Sequence, residues 1–223
     1  MQGTVAIVTG GGQGVGRQIG LGLAAAGCRV AVNDINPDRA EKTAAAIRQA
    51  GGTALGIAAD VSNKFQCVHL IESTRKAWGR LDILVNNAAV MPRYTVLKMD
   101  EWDWQRCLDV NLKGVFFMSQ LCGRVMVEEN GKLGGTIVNI GSTAGVQEPL
   151  AGRAAYAASK GGLAGFTLEC AREYAAYDIA VYALLPAEAG RVVDDTAAII
   201  AEQVLQLCRP GGERPVFPLI TLR

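Results

Sequence analysis

A tyrosine and a lysine four positions apart, Tyr156 and Lys160, are the residues of this sequence best suited to proton transfer. Residues at this spacing lie one turn from each other on the same face of a helix. An unperturbed tyrosine has a pKa of about 10, but a nearby cation favours the phenolate and lowers that pKa. Ser142, upstream of the pair, supplies a hydroxyl that can hold a substrate oxygen. Together the three residues predict an acid–base site for an alcohol or a carbonyl, although the Tyr–Lys spacing alone is also common on solvated helix faces.

A glycine-rich turn near the N-terminus indicates a phosphate-binding site. The chain reads TGGGQGVG from Thr9 to Gly16, directly after an apolar run rich in β-branched residues. Glycines let the backbone turn sharply and approach a pyrophosphate, whose charge is favoured by the N-terminus of the following helix. A tight turn alone would also explain a glycine run. The residues of this turn that we expect to contact a cofactor are Gly10, Gln13, Gly14, Val15 and Gly16.

Acidic residues at the ends of the next two apolar runs strengthen the prediction of a dinucleotide site. Asp34 follows the glycine turn by about twenty residues, where a carboxylate can bind both ribose hydroxyls and would repel a 2′-phosphate. The alternative role for Asp34 is a helix cap ahead of Pro37. Asp60 and Val61 end the third run, where the adenine of a dinucleotide would lie, although they could instead form a plain turn.

Alternating apolar runs and helical segments must position these residues. The predicted strands are Thr4–Thr9, Arg29–Asn33, Thr53–Ala59, Asp82–Val85, Thr136–Ile140 and Ile179–Leu185, with a short final strand at Pro215–Thr221. The predicted helices are Gly14–Ala26, Pro37–Ala50, Asn63–Trp78, Asp100–Glu129, Arg153–Tyr177 and Asp195–Cys208. Short apolar runs separated by helices are typical of parallel strands buried on both faces. We therefore predict a doubly wound α/β (Rossmann) sheet of about seven strands with helices on both faces, and a ligand crevice at the carboxyl ends of the strands.

The composition favours one domain and argues against several classes of function. The 223 residues are half hydrophobic and contain no linker-like segment, so we expect a single domain over residues 1–223. A formal net charge of +1 gives no reason to expect nucleic acid or an anionic membrane as a partner. We expect no membrane helix, because no apolar run approaches ~20 residues. We expect no signal peptide, because the N-terminal residues include no basic region and no cleavage-like segment. Six scattered cysteines and one histidine predict no metal site, and we interpret the cysteines as core residues in a reducing cytoplasm.

In the order of their motifs, these residues resemble the classical short-chain dehydrogenases/reductases over nearly the whole chain. The family's T-G-x-x-x-G-x-G turn matches Thr9–Gly16, its acidic residue matches Asp34, and its Asp-Val pair matches Asp60-Val61. The later motifs match Asn86-Asn87-Ala88 (with Ala89 in place of a glycine), the catalytic asparagine Asn111 in DVNLKG, Ser142 in NIGSTAG, and Tyr156 and Lys160 in the Y-x-x-x-K pattern.

The resemblance implies specific roles for these residues. With Asp34 and an uncharged Gln13, it implies NAD(H) rather than NADP(H) as the cofactor. Tyr156 would exchange the proton with an alcohol or carbonyl. Lys160 would lower the pKa of the tyrosine and bind the nicotinamide ribose. Ser142 would stabilise the reacting oxygen, and Asn111 would hold a water that links Lys160 to solvent. Further contacts with the cofactor would come from Asn87, Ala88 and Pro186.

Three features around Pro186 depart from the family pattern. Ala187 stands where the family has a glycine, and Arg191 stands where it has a threonine that helps bind the nicotinamide; Thr196 is a possible substitute. Only about ten residues separate Pro186 from the final helix, which predicts a shortened substrate lid. A shortened lid would have one of two consequences. It would leave an open pocket that suits a bulky or carrier-bound substrate, or it would weaken catalysis, because lid closure normally excludes water and completes the site. The intact catalytic set favours an active enzyme with an open site.

The resemblance implies an oxidoreductase for a secondary alcohol or a ketone, including a 3-oxoacyl carbonyl, as a small molecule or bound to a carrier. It also implies a homodimer or homotetramer that pairs the helices around Asn111 and Tyr156. Two alternatives stay open. One is a noncatalytic module that senses a dinucleotide or binds a partner. The other is an epimerase or dehydratase for a nucleotide-sugar, which is disfavoured because the chain lacks the C-terminal substrate domain that such enzymes use.

Overall fold

The computed structural model describes residues 1–187, 194–212 and 215–222. Within these ranges, seven parallel strands form one sheet in the order β3-β2-β1-β4-β5-β6-β7. The strands are β1 (Val5–Val8), β2 (Arg29–Asp34), β3 (Thr53–Ala58), β4 (Ile83–Asn86), β5 (Gly135–Ile140), β6 (Ile179–Pro186) and β7 (Leu219–Leu222). The prediction of a doubly wound parallel sheet is confirmed. The last strand begins later than predicted, because Pro215 and Pro218 have no N–H to donate to a neighbouring strand.

The helices of the described residues are α1 (Gly14–Ala25), α2 (Pro37–Gln49), α3 (Lys64–Trp78), α4 (Glu101–Leu108), α5 (Gly114–Asn130), α6 (Ala154–Tyr174) and α7 (Asp194–Leu207). The prediction of one regular helix from Asp100 to about Glu129 is wrong in one respect. A π-helical turn at Asp109–Lys113 joins α4 to α5, and the Gly114 N–H donates to the Asp109 carbonyl. Such wide turns occur mostly as single insertions in α-helices, frequently at functional sites.

Alternate residues of the central strands pack against helices on opposite faces of the sheet. In β1, Ile7 belongs to a core with Leu70 of α3 and Met118 of α5. Its neighbour Val8 belongs to a second core with Leu23 of α1 and with side chains of α2 and α7. All four β1 residues are fully buried, which explains why the strand reads as an unbroken apolar run. The six cysteines are buried and unpaired, as expected for core residues.

The strand order reverses between β1 and β4, and this reversal creates the crevice. The chain moves outward from β1 through β2 to β3, and then returns to place β4 on the other side of β1. Helices following β1 and β4 therefore diverge to opposite faces, and the carboxyl ends of these strands leave a gap between them. Asn33, near the end of β2, connects β2 to the end of β3, because its Nδ2 donates hydrogen bonds to the carbonyls of Ile57 (3.2 Å) and Ala59 (3.0 Å).

Candidate active site

A cleft of about 480 Å³ lies at the carboxyl ends of β1 to β4. Nine of the residues predicted to contact a cofactor line it: Gly10, Gln13, Gly14, Val15, Asp34, Asp60, Val61, Asn87 and Ala88. The cleft is also lined by two arginines, Arg39 and Arg106, that the sequence motifs did not single out. The fold therefore gathers these nine residues from four separate strand ends into one continuous surface.

The glycine turn presents bare backbone to this cleft. A Cβ added to Gly14, whose φ is +53°, would meet no atom within 4 Å, so the backbone here faces open space. Gly16 has a different role, because a Cβ there would lie 2.3 Å from the Gly10 carbonyl oxygen. Gly16 does not line the cleft and instead lets α1 pack closely on the turn. The N-terminus of α1 has no side-chain cap, since Gln13 makes no capping hydrogen bond, and its N–H groups are available to an anion.

Asp34 is buried beside the glycine turn. One carboxylate oxygen accepts from the Gly12 N–H (3.2 Å) and the other from the Asn36 N–H (3.0 Å). The cap of α2 is Asn36, whose side chain accepts from the Arg39 N–H (3.1 Å), so the alternative role of Asp34 as the helix cap is wrong. A Cβ on Gly12 would lie 2.6 Å from the Asp34 carboxylate, which explains a third glycine in the turn. These contacts fix the carboxylate at the wall of the cleft.

Asp60 forms a polar cluster with Ser62 and Arg106. The Ser62 backbone N–H and hydroxyl donate to Oδ1 of Asp60 (2.9 and 2.7 Å), and Nη1 of Arg106 donates to Oδ2 (3.1 Å). Nη1 of Arg106 also donates to the Ser62 hydroxyl oxygen (2.8 Å). Burial by itself would raise the pKa of the Asp60 carboxyl, but the hydrogen bonds from Ser62 and the charge of Arg106 lower it overall. The cluster joins the β3 end to α4.

Thr9 and Asn87 connect the glycine turn to the loop after β4. The Thr9 hydroxyl oxygen accepts from the backbone N–H of Asn87 (3.0 Å) and of Ala88 (3.2 Å). In return, Nδ2 of Asn87 donates to the carbonyls of Thr9 and Gly10, each at 3.0 Å. Asn87 thus braces the two strand ends that flank the crevice, in addition to lining the cleft.

The predicted acid–base pair lies at the start of α6, next to the end of β5. Tyr156 is buried, with 6% of its surface exposed, and Nζ of Lys160 lies 5.5 Å from the centre of its ring. The Lys160 ammonium also donates to the carbonyl of Ile140 (2.6 Å), the last residue of β5. Ser142 follows two residues later, fully buried, and its hydroxyl oxygen accepts from the Ala144 N–H (3.0 Å). The structure therefore brings the tyrosine, the lysine and the serine turn to one place.

Asn111 lies in the π-helical turn and links this centre to the β4 loop. Its amide group donates to the Val90 carbonyl (2.9 Å) and to the Ser159 hydroxyl (3.1 Å), and its oxygen accepts from the Val90 N–H (2.8 Å). The Ser159 hydroxyl donates in turn to the Tyr156 carbonyl (2.7 Å). These side-chain bonds make Asn111 a brace for the tyrosine helix, and its expected role in holding a water remains a prediction.

A buried polar chain behind the site was not predicted. The Asn86 amide donates to the Ser119 hydroxyl (3.1 Å) and to the Asn139 side-chain oxygen (2.8 Å). The Asn139 amide donates to the Thr167 hydroxyl (2.9 Å). The chain couples β4 and β5 to α5 and α6. Its sequence signal is an asparagine within each apolar strand, in ILVN and TIVNI.

The segment after β6 falls largely outside the described residues. The Pro186 carbonyl accepts from the Thr143 N–H (3.1 Å), so the end of β6 holds the loop that follows Ser142. Pro186 does not line the cleft of the glycine turn. Thr196 lies in α7 and is half-buried. Arg191, and the shortened lid predicted around it, lie among residues 188–193, which the structure does not describe.

Comparison with known proteins identifies the family. A model of the short chain dehydrogenase family matches residues 4–194, which is most of the chain. The protein is a member of the short-chain dehydrogenase/reductase family, whose members are oxidoreductases that bind a nicotinamide dinucleotide. The resemblance inferred from the motifs is confirmed.

Individual relatives agree with this assignment. A 3-oxoacyl-[acyl-carrier-protein] reductase of Synechocystis sp. is 37% identical over 205 residues, which cover 91% of this chain and 80% of that protein. A short chain dehydrogenase/reductase of Aspergillus oryzae is 40% identical over 204 residues, covering 91% and 76%. The crystal structure of a short chain dehydrogenase from Mycobacterium avium superposes with a TM-score of 0.86 at 32% identity, covering 92% and 77%. Across the part of the chain that the structure describes, no helix combines the length and apolarity needed to cross a membrane.

Proposed function

We propose that the protein is an NAD(H)-dependent oxidoreductase that interconverts a secondary alcohol and a ketone. The observation that carries the proposal is the placement of the Lys160 ammonium 5.5 Å from the centre of the Tyr156 ring, beside the turn that holds Ser142. A cation in this position favours the phenolate over the phenol. The tyrosine can then exchange a proton with a substrate near neutral pH.

The residues of the cleft fit a dinucleotide. The uncapped N-terminus of α1 and the open backbone at Gly14 suit the pyrophosphate, because N–H groups there point at an anion without steric obstruction. Asp34 would bind the adenosine ribose, and Asp60 with Val61 would border the adenine. When bound, the nicotinamide accepts or supplies the hydride. The protein contributes orientation and electrostatics around that transfer.

Asp34 is the reason to prefer NAD(H) over NADP(H). Its carboxylate is buried and fixed by two backbone N–H groups at the cleft wall, where a 2′-phosphate would place like charge against it. Arg39 lines the same cleft and would attract a phosphate, but its side chain is exposed to solvent. A buried charge is less screened than an exposed one, so we expect Asp34 to decide the preference.

Three side chains perform the chemistry in this proposal. In reduction, the Tyr156 hydroxyl donates a proton to the carbonyl oxygen, and in oxidation its phenolate takes the proton of the alcohol. The Ser142 hydroxyl holds the same oxygen and stabilises its developing charge. Lys160 would favour the phenolate and would also bind the nicotinamide ribose. Asn111 holds α6, which carries Tyr156, against the loop that contains Val90, because its amide donates hydrogen bonds to both Val90 and Ser159.

The substrate we propose is a 3-oxoacyl-type carbonyl or the corresponding alcohol, as a small molecule or bound to a carrier. The name of the Synechocystis relative supports this class. We also propose a single domain that acts as a cytoplasmic homodimer or homotetramer, as in the expectation from the motifs. The test is a spectrophotometric scan of NADH oxidation and NAD reduction against a panel of ketones, 3-oxoacyl esters and alcohols. Turnover with NADH supports the proposal, whereas NADH binding without turnover on any member would favour a noncatalytic module.

A further inference from the structure

We propose that Arg153 binds a carboxylate of the substrate, so that the enzyme prefers free oxo acids and hydroxy acids to their neutral esters. The inference rests on the proposed function and narrows its substrate class. Arg153 is the N-cap residue of α6, and Tyr156 is the third residue of that helix. Side chains at these two positions of a helix lie close enough to interact. The arginine side chain therefore starts beside the residue that we propose exchanges the proton.

The loop after β4 holds the guanidinium in place. Nη1 of Arg153 donates to the Met91 carbonyl (2.7 Å), and the backbones of Arg153 and Tyr94 pair in an isolated bridge. Met91 directly follows Val90, which packs against the buried cluster that contains Tyr156. These contacts place the guanidinium between α6 and the β4 loop, where both segments border the tyrosine.

One edge of this guanidinium is suited to a carboxylate. An arginine side chain has five N–H donors, and within the described residues its recorded acceptor is the Met91 carbonyl, reached through Nη1. The N–H groups of Nε and Nη2 lie along a different edge. Two parallel N–H groups match the two oxygens of a carboxylate, which gives a stronger and more directional contact than a single hydrogen bond.

The charges around Arg153 also favour an anion. Over the part of the chain that the structure describes, Arg153 forms no ion pair. Two acidic side chains on adjoining segments are engaged elsewhere, because Glu148 accepts from a hydroxyl of its own loop and Asp100 caps α4. Arg93 adds a second positive charge, since its Cγ would lie 3.7 Å from a Cβ added to Gly152, the residue before Arg153. An anionic substrate group would offset both charges.

A purely structural role for Arg153 is the competing explanation. Its bond to the Met91 carbonyl also fastens the start of α6 to the β4 loop. If fastening were its whole role, loss of the guanidinium would slow the reaction of every substrate by the same factor. If Arg153 binds a carboxylate, the loss falls on acids and largely spares their esters. The ratio of kcat/KM for an acid to kcat/KM for its ester therefore separates the two explanations.

The test measures this ratio at saturating NADH for 3-oxobutanoate, 3-oxohexanoate and 4-oxopentanoate, each paired with its methyl ester. Because hydrogen bonds between charged groups are strong, we expect the native protein to prefer the acid by at least about 10-fold in its best pair. Arg153→Gln should reduce the preference to within about 3-fold, mainly through a higher KM for the acid. Arg153→Lys should retain part of it, because lysine keeps the charge but lacks the planar fork.

Arg172→Gln is the matched control, since Arg172 lies near the other end of α6, where it is exposed and paired with Glu169. This variant should keep the native ratio. Equal slowing of acid and ester in Arg153→Gln would overturn the carboxylate site, and so would a native protein that reduces neutral ketones or esters at least as well as the acids. A native protein that oxidises NADH with no member of a wider ketone panel would contradict the proposed function itself.

Discussion

Asp34→Asn tests the origin of cofactor preference, because it removes one charge while nearly preserving the shape of the side chain. A hydrogen bond to a charged acceptor contributes about 1.5–3 kcal/mol, and about 1.4 kcal/mol corresponds to a tenfold change in Kd. If Asp34 binds the ribose hydroxyls, the variant should bind NADH about 10- to 100-fold more weakly.

Affinity for NADPH should change in the opposite direction. At a separation of about 7 Å and an effective dielectric constant of about 20, repulsion between two unit charges amounts to roughly 2 kcal/mol, or about 30-fold. Removal of the Asp34 charge relieves this repulsion, and the guanidinium of Arg39 remains in the cleft to attract the 2′-phosphate. The ratio of the two Kd values should therefore change by at least about 100-fold. Adding Arg39→Ala to the variant should reverse much of the gain in NADPH affinity.

The assay is titration of NADH and NADPH by intrinsic fluorescence, accompanied by thermal unfolding. The unfolding control is needed because Asp34 also accepts from the Gly12 and Asn36 N–H groups, and a buried N–H without an acceptor costs about 1–3 kcal/mol. A folded variant with an unchanged ratio of NADH to NADPH affinity would refute the assignment of Asp34. Equal or tighter binding of NADPH by the native protein would refute it as well.

Two further perturbations examine the lysine and the buried thiols. Lys160→Ala should impair both turnover and NADH binding, because the lysine serves both, and a loss confined to turnover would exclude its ribose contact. Burial raises the pKa of the Cys67 and Cys170 thiols to about 11, so neither should react quickly with a thiol reagent at about pH 8 in the native protein. Six thiols should titrate after denaturation, and a fast-reacting thiol in the folded protein would contradict their burial.

The features that the sequence predicted well are those whose physical cause is local. The β1 strand is apolar throughout because both faces of the sheet are covered, and the run of residues in β1 shows this directly. The glycine turn and Asp34 are recognisable because a sharp turn and a strand-end carboxylate have fixed positions relative to the strands. Residue type and spacing suffice for such features.

The features that were missed depend on contacts between distant segments. Arg106 meets Asp60 across 46 positions of the chain, and no local pattern distinguishes it from a solvated arginine on α4. The role of Asn36 as the α2 cap became clear only from its bond to the Arg39 N–H, since Asp34 also precedes that helix. The π-helical turn at Asp109–Lys113 escaped prediction because one extra residue per turn barely alters the apolar pattern of a long helix.

The most direct measurement of the central proposal is single-turnover oxidation of NADH by a ketone substrate in the native protein and in Tyr156→Phe. The phenylalanine ring can still pack where the tyrosine is buried, but it cannot donate a proton to the carbonyl. We predict a rate loss of about 10²- to 10⁴-fold, with a Kd for NADH within about twofold of the native value. A variant that binds NADH and oxidises it at a rate close to that of the native protein would show that another group performs the proton transfer.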